Sequence, residues 1–254
     1  MTKRLQGKRA LIYGGGTGLG FACAAAMAAE GAAVFLSGRR REKLAAALER
    51  LPAGAKAGFE PGDATLEPDV RRVTAAAVKF LDGLDTMVIG AGTSGITPIL
   101  SASLEEFRAI CEANLISTFL ACRHGAPQMV AGGGGSIIAI SSVFGLVGTV
   151  ERVAYCASKH GVVGLVRAAA LDLATKNVRV NALCPGFVET ELALEIASRA
   201  PDPEAALRQR RTMHPIPRTG LAEEIAEAAV YLASDRAAWT TGQAIAVDGG
   251  YTAR

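Results

Sequence analysis

Lys8-Arg9-Ala10-Leu11-Ile12-Tyr13 runs directly into Gly14-Gly15-Gly16-Thr17-Gly18-Leu19-Gly20, and the alanine-rich stretch from Phe21 to Glu30 follows, stopped by Gly31. A short apolar run, a glycine-rich turn and a helical stretch closed by glycine predict a strand, a tight turn and a helix. Gly14, Gly18 and Gly20 would allow the turn, close approach of the backbone to a pyrophosphate, and close packing of the helix. The helix N-terminus would add free N–H groups and a positive dipole end. The spacing is G-x-x-x-G-x-G rather than the commoner G-x-G-x-x-G. Its place between a first strand and a helix points to a dinucleotide-binding turn.

The same alternation continues along the chain. Apolar runs at Ala32–Ser37, Ala57–Glu60, Thr86–Ile89, Ser136–Ser141, Val178–Cys184 and Gln243–Val247 predict six further strands. Between them, Arg40–Leu51, Glu67–Leu81, Leu104–Val130, Val153–Thr175 and Leu221–Ala233 read as helices, and Glu189–Met213 as irregular to helical. Leu104–Val130 is expected as one long helix with Pro127 near its end. Alternating strands and helices predict a doubly wound, seven-stranded parallel sheet with helices on both faces, an α/β Rossmann fold. The near-continuous apolar strands fit a sheet buried on both sides. No linker or shift in composition divides the chain, so residues 1–254 are expected to form a single domain.

Composition narrows the class of partner. The 254 residues carry a net charge of +3 with both signs scattered, and Arg39-Arg40-Arg41 is too short to be a nucleic-acid patch. The five cysteines, Cys23, Cys111, Cys122, Cys156 and Cys184, are irregularly spaced without a C-x-x-C, which predicts reduced thiols and a cytoplasmic location. No apolar run reaches membrane-spanning length, and the N-terminus does not read as a signal peptide. His124, His160 and His214 lack ligand spacing, so no metal site is expected.

Tyr155-Cys156-Ala157-Ser158-Lys159 carries the candidate chemistry. Residues four apart on a helix share a face, which sets an ammonium one turn from a phenol. The expected consequence is a phenol pKa drawn below its ordinary value of about 10, making it a usable general acid or base. At the end of the second strand, where an acidic residue often binds a ribose 2′-hydroxyl, the chain reads Ser37-Gly38-Arg39-Arg40. An arginine suits a 2′-phosphate, so NADP is favoured, with NAD as the alternative.

These residues together resemble the short-chain dehydrogenase/reductase family over essentially the whole chain, with similarity to 3-oxoacyl-carrier-protein reductases and sugar or alcohol dehydrogenases. The family's T-G-x-x-x-G-x-G is matched by Tyr13 to Gly20. Its aspartate after strand three is matched by Asp63, followed by Ala64. N-N-A-G is matched by Ile89-Gly90-Ala91-Gly92, and P-G-x-x-x-T by Pro185-Gly186-Phe187-Val188-Glu189-Thr190. The catalytic asparagine, serine, tyrosine and lysine correspond to Asn114, Ser142, Tyr155 and Lys159.

The resemblance implies hydride transfer between a nicotinamide and a secondary alcohol or ketone. Tyr155 would be the general acid/base, Lys159 would lower its pKa and hold the ribose, Ser142 would donate to the substrate oxygen, and Asn114 would anchor a relay water. Ser141 and Ser142 point opposite ways at a strand end, so only one can serve, and the resemblance selects Ser142. Cofactor contacts would come from Gly14, Thr17, Gly18, Leu19, Gly20, Arg39, Asp63, Ala64, Gly90, Ala91, Gly92, Tyr155, Lys159, Pro185, Gly186, Val188 and Thr190. A homotetramer is implied, pairing the long helices that follow strands four and five and the C-terminal segment.

Two departures stand out. Ile89-Gly90 replaces two asparagines that support the sheet in relatives, and Tyr13 adds bulk where relatives have threonine. Residues 187–215, with Phe187, Leu192, Leu194, Ile196 and Met213, are expected to form a largely apolar substrate lid. Arg152 reads more readily as half of a solvated Glu151–Arg152 pair than as a contact for an anionic substrate. Cys156 and Cys184 read as packing. A 3-oxoacyl-thioester reductase is the alternative activity, and it would need a basic surface such as Arg208, Arg210 and Arg211. A nucleotide-sensing protein without turnover is the alternative from another class, and retention of all four catalytic positions speaks against it.

Overall fold

The structure, a computed structural model, describes residues 3–191, 198 and 202–253. Seven strands form one all-parallel sheet in the order β3-β2-β1-β4-β5-β6-β7. They are β1 (Arg9–Tyr13), β2 (Ala33–Gly38), β3 (Ala57–Pro61), β4 (Thr86–Ile89), β5 (Gly135–Ile140), β6 (Val178–Pro185) and β7 (Ala244–Val247). The described helices are α1 (Gly18–Ala29), α2 (Arg41–Glu49), α3 (Glu67–Leu81), α4 (Leu104–Cys111), α5 (Ser117–Ala131), α6 (Val153–Ala174), α7 (Pro203–Thr212) and α8 (Ala222–Ala233).

Successive side chains of a strand face opposite sides, so each strand feeds two cores. Leu11 and Tyr13 of β1, Met87 and Ile89 of β4, and Ile137 and Ala139 of β5 pack under α3, α5 and α6. Ala10, Ile12, Val88, Ile138 and Ile140 pack on the other side, against α1, α2 and α8. The strand order reverses between β1 and β4, which pair with Tyr13 opposite Ile89. A doubly wound sheet opens its ligand crevice there, beyond the carboxyl ends of the strands.

Tyr13 and Ile89 explain the two departures from the family pattern. Ile89 is 1 % exposed and belongs to the core, so an apolar residue is the fitting choice. The Tyr13 ring does not enter the glycine turn. It lies against α3, where its hydroxyl pairs with Thr74 Oγ1 at 2.9 Å and donates to the Val70 carbonyl at 3.3 Å. The bulk is thus absorbed between sheet and helix.

One expectation is corrected. Leu104–Val130 is not one regular helix: a π-turn at Glu112–Ile116 separates α4 from α5. The Ser117 and Thr118 hydroxyls donate back to the Ala113 and Asn114 carbonyls, both at 2.7 Å, which supplies partners for the widened turn. An apolar period does not register one extra residue in a turn. Pro127 lies near the helix end, as expected, and the helix runs on to Ala131. Of the expected lid, α7 is described and is capped by Asp202, which accepts from the Ala205 N–H at 2.9 Å. Leu192, Leu194 and Ile196 lie outside the described residues.

Candidate active site

The glycine turn is built as a cradle. The N–H groups of Gly14 and Gly15 both donate to the Ser37 carbonyl, at 2.8 and 3.0 Å, which ties β1 to β2. Gly14 sits at φ +77° and Gly18 at φ +55°, left-handed conformations that favour glycine. A Cβ on Gly14 would come 2.8 Å from the Ala91 N. Helix α1 opens without a side-chain cap from Thr17 and without an acidic residue in its first turn. Its first N–H groups and positive dipole end are therefore presented to the cleft.

The cleft, of about 690 Å³, is lined by Gly14, Thr17, Gly18, Leu19 and Gly20 of this turn, by Arg39, Asp63 and Ala64, and by Gly90, Ala91 and Gly92. Ser142, Tyr155, Lys159, Pro185, Gly186, Val188 and Thr190 also line it. The structure thus brings together the predicted contacts from seven separate stretches of chain. Asp63 closes a local turn, accepting from the Thr65 N–H at 2.9 Å and its hydroxyl at 2.8 Å. Sequence reasoning missed Arg40 and Lys43, which join Arg39 on the cleft wall. Their signal was plain: all three sit in the first turn after β2. Ser37 Oγ is buried, has no partner among the described residues, and belongs to the same wall.

Ser142 and Ser141 divide as the pleat requires. The Ser141 hydroxyl turns away and donates to the Lys159 carbonyl at 3.0 Å. The Ser142 Oγ accepts from the Phe144 N–H at 3.2 Å, so its own proton remains available to a second oxygen.

The electrostatics correct the expected tuning of Tyr155. Its pKa is raised, not lowered: burial dominates, while the neighbouring Ser142 hydroxyl and the positive charge of Arg152 pull it down. Lys159 is 6 % exposed, and burial brings its amine down to about 8. Its Nζ donates to the Ile140 carbonyl at 2.8 Å and lies 5.8 Å from the centre of the Tyr155 ring. Desolvation of each group outweighs their attraction over that gap.

Asn114 sits inside the π-turn, with its side chain already engaged. Its Oδ1 accepts from the Thr93 N–H at 2.8 Å, and its Nδ2 donates to the Thr93 carbonyl and the Ser158 hydroxyl, both at 3.0 Å. A Cβ on Gly92 would come 2.6 Å from Asn114 Oδ1 and 3.7 Å from Lys159 Nζ, so amide and amine flank one small gap. Thr93 and Ser158 were not anticipated, and no pattern in the sequence marks them.

The remaining candidates separate. His124 meets Glu67 at 2.8 Å, and His160 bonds the Cys156 carbonyl at 3.0 Å. His214 is buried and bridges the Phe187 N–H and the Arg210 carbonyl. Cys184 is fully buried and its thiol is pushed up by burial, as packing requires, whereas Cys156 is half-buried. Arg152 is not a solvated loop residue: its Nη1 donates to the Ser94 hydroxyl at 2.8 Å and the Gly95 carbonyl at 3.3 Å. The backbone bridge between Thr97 and Arg152 holds it there. Arg208 and Arg211 pair with Glu204 and Glu189, while Arg210 stacks on Phe187. The three arginines do not form one surface.

A family model described as enoyl-(acyl carrier protein) reductase matches residues 14–252. The 2-(S)-hydroxypropyl-CoM dehydrogenase 3 of Xanthobacter autotrophicus is 38 % identical over 257 residues, covering 100 % of both chains. A crystal structure of a short-chain dehydrogenase/reductase from Burkholderia xenovorans superposes with a TM-score of 0.95 at 35 % identity, covering 99 % of each chain. A single-residue variant of actinorhodin polyketide ketoreductase, solved with NADPH, gives 0.92 at 32 % identity, again covering 99 % of each. The chain belongs to the short-chain dehydrogenase/reductase family and is an oxidoreductase.

Proposed function

We propose that the protein is an NADP-dependent oxidoreductase that interconverts a secondary alcohol and a ketone, with Tyr155 as its general acid/base. The observation that carries this reading is the convergence of Ser142, Tyr155 and Lys159 in one cleft with the glycine turn and three cations, Arg39, Arg40 and Lys43. The turn fits a pyrophosphate: at Gly14 and Gly20 backbone atoms leave no room for a side chain, and helix N–H groups face the cleft. When bound, the nicotinamide supplies or accepts the hydride. The rest falls to the chain. Ser142 donates its remaining proton to the substrate oxygen, Tyr155 delivers a proton to that oxygen or removes one, and Lys159 supplies positive charge beside the phenol. Asn114 clamps the backbone at Thr93 and so holds the wall facing Lys159; a relay water would be held beside this clamp.

Continuous monitoring of nicotinamide absorbance with a panel of ketones and alcohols tests the activity, and absence of turnover with every substrate would reject it. Arg208 and Arg211 are paired with carboxylates, which weakens the 3-oxoacyl-carrier reading that needs a basic docking surface. Cofactor choice rests on Arg39, exposed at the cleft rim. A charged hydrogen bond is worth about 1.5–3 kcal/mol. Arg39→Asp is therefore expected to lower the NADPH-to-NADH ratio of kcat/KM by at least about tenfold; a wild type that prefers NADH would reject the assignment.

The same reading takes the chain as one catalytic domain with residues 187–215 as its lid, working in the cytoplasm as a homotetramer. Exposed Leu104, Phe119 and Leu171 on the outer faces of α4, α5 and α6 fit a face covered by another copy. Light scattering is expected to give a tetramer mass, and a monomer would reject this part.

A further inference from the structure

Resting on the oxidoreductase reading, the placing of the phenol is carried by a contact from outside its own helix. A helix leaves its first N–H groups without internal partners, and a local side chain ordinarily takes one of them. Helix α6 carries Tyr155 in its first turn and receives no side-chain cap from Arg152 at its N-terminus. Thr97, 57 residues before Ala154 in the chain, takes that place. Its hydroxyl accepts from the Ala154 N–H at 3.2 Å, and its carbonyl accepts from the Val153 N–H at 3.2 Å. One residue of the β4–α4 loop thus holds two of the first N–H groups of α6.

The contact is built from both sides. The Thr97 N–H donates to the Glu151 carbonyl at 2.7 Å, and the two segments run parallel where Thr97 meets Arg152. Thr97 and Ala154 are both buried, so a partner lost there is not replaced by bulk water. Glu151 sits at φ +58°, a left-handed conformation that a residue with a side chain rarely adopts and that its surroundings must hold in place. Arg152 adds a second tie, its guanidinium donating to the Ser94 hydroxyl and the Gly95 carbonyl. At the other end of the same loop, Asn114 binds both the N–H and the carbonyl of Thr93. Residues 93–97 therefore join the π-turn to the first turn of α6. Tyr155 follows Ala154 directly, so a shift of that turn carries the phenol with it.

We propose that Thr97 is a positioning residue for Tyr155: its hydroxyl caps α6 across the fold and fixes where the phenol stands relative to the substrate oxygen. Thr93 and Ser94 of the same loop line the cleft, so this wall and the proton donor move as one body. Proton transfer depends steeply on the distance between the two oxygens, which gives the cap a kinetic consequence.

Thr97→Val removes the hydroxyl and keeps the backbone bonds, whereas Thr97→Ser keeps the hydroxyl. Thr74→Val is the control: Thr74, in α3, is also buried, and its hydroxyl donates to the Val70 carbonyl and pairs with the Tyr13 phenol. In Thr97→Val, kcat should fall at least about tenfold with KM within about threefold of wild type, the split expected when only transition-state geometry is lost. Thr97→Ser and Thr74→Val should keep kcat within about threefold of wild type, since serine caps as threonine does and Thr74 holds no part of α6. Circular dichroism checks folding, and Thr97→Ala takes the place of the valine variant if that one does not fold. NMR of protein labelled at tyrosine Cζ reads the phenols without turnover, the Tyr155 resonance being the one lost in Tyr155→Phe. Thr97→Val should shift the Tyr155 resonance and leave that of Tyr13 in place, and Thr74→Val should do the reverse. An unmoved Tyr155 resonance in the folded variant, or a kcat equal to that of wild type, overturns the positioning role while leaving the oxidoreductase reading intact. A shifted Tyr155 resonance, with no ketone or alcohol turned over by wild type, keeps the placement and overturns the activity.

Discussion

Tyr155→Phe is expected to lower turnover at least about a hundredfold in both directions, the usual scale for losing a positioned general acid/base. The ring keeps its packing on Phe144, 6.4 Å away, so the variant removes the proton donor and little else. Burial holds the phenol above its ordinary pKa, which keeps it protonated through neutral pH and ready to act as an acid. The Lys159 amine, brought down to about 8, is charged below that pH and loses its charge above it. Ketone reduction should therefore be flat from about pH 6 to 8 and then decline, and alcohol oxidation should climb over the alkaline range. Profiles of kcat/KM in both directions check this, and Tyr155→Phe should flatten the oxidative rise. Turnover near that of wild type in the folded variant would sink the assignment of Tyr155.

Much of this was legible because it follows from local chemistry. The doubly wound sheet is written in the alternation of apolar strands with helices, and the β1/β4 crevice follows from it once Gly14 and Gly90 are seen to end neighbouring strands. Interactions fixed by packing were not legible. Lys159 and Tyr155 are correctly spaced, but the sign of the tuning depends on how deeply each is buried, and four-residue spacing does not encode depth. Asn114 looks like a residue of an ordinary helix, because a π-turn adds one residue without breaking the apolar stripe. Tyr13 reads as crowding the turn, since nothing in the chain says its ring would find Thr74, sixty-one residues away. Adjacency groups Arg210 with Arg208 and Arg211, yet a helix sends neighbours in different directions, and Arg210 is the one that reaches Phe187. For Tyr13, Tyr155 and Lys159 the missing information was tertiary packing; for Asn114 and Arg210 it was local helix geometry.

The second large effect belongs to Gly20, and it is a matter of space. A Cβ there would overlap the Gly14 carbonyl oxygen, and would come 2.7 Å from the Gly14 carbonyl carbon and 3.2 Å from the Gly15 nitrogen. These are backbone atoms, so no side chain can swing aside. Nor can the turn yield cheaply, because the Gly14 and Gly15 N–H groups are both bonded to the Ser37 carbonyl at 2.8 and 3.0 Å. Gly20→Ala must push the first turn of α1 away from the end of β1. Overpacking of this kind costs about 1–3 kcal/mol, which for a chain of this size corresponds to a fall in Tm of roughly 2–12 °C. The effect on function should be greater than that on stability. Displacing α1 removes its N–H groups and its dipole from the place where the pyrophosphate would lie, and each depends steeply on position. Dinucleotide Kd is expected to rise by at least about a hundredfold, measured by nicotinamide fluorescence, with Tm read from the same samples. Gly148→Ala is the control: a Cβ there meets nothing within 4 Å, so Tm should stay within about 2 °C of wild type. Should Gly20→Ala bind the dinucleotide as tightly as Gly148→Ala does, the cradle is not where the phosphates sit, and the cofactor reading fails with it.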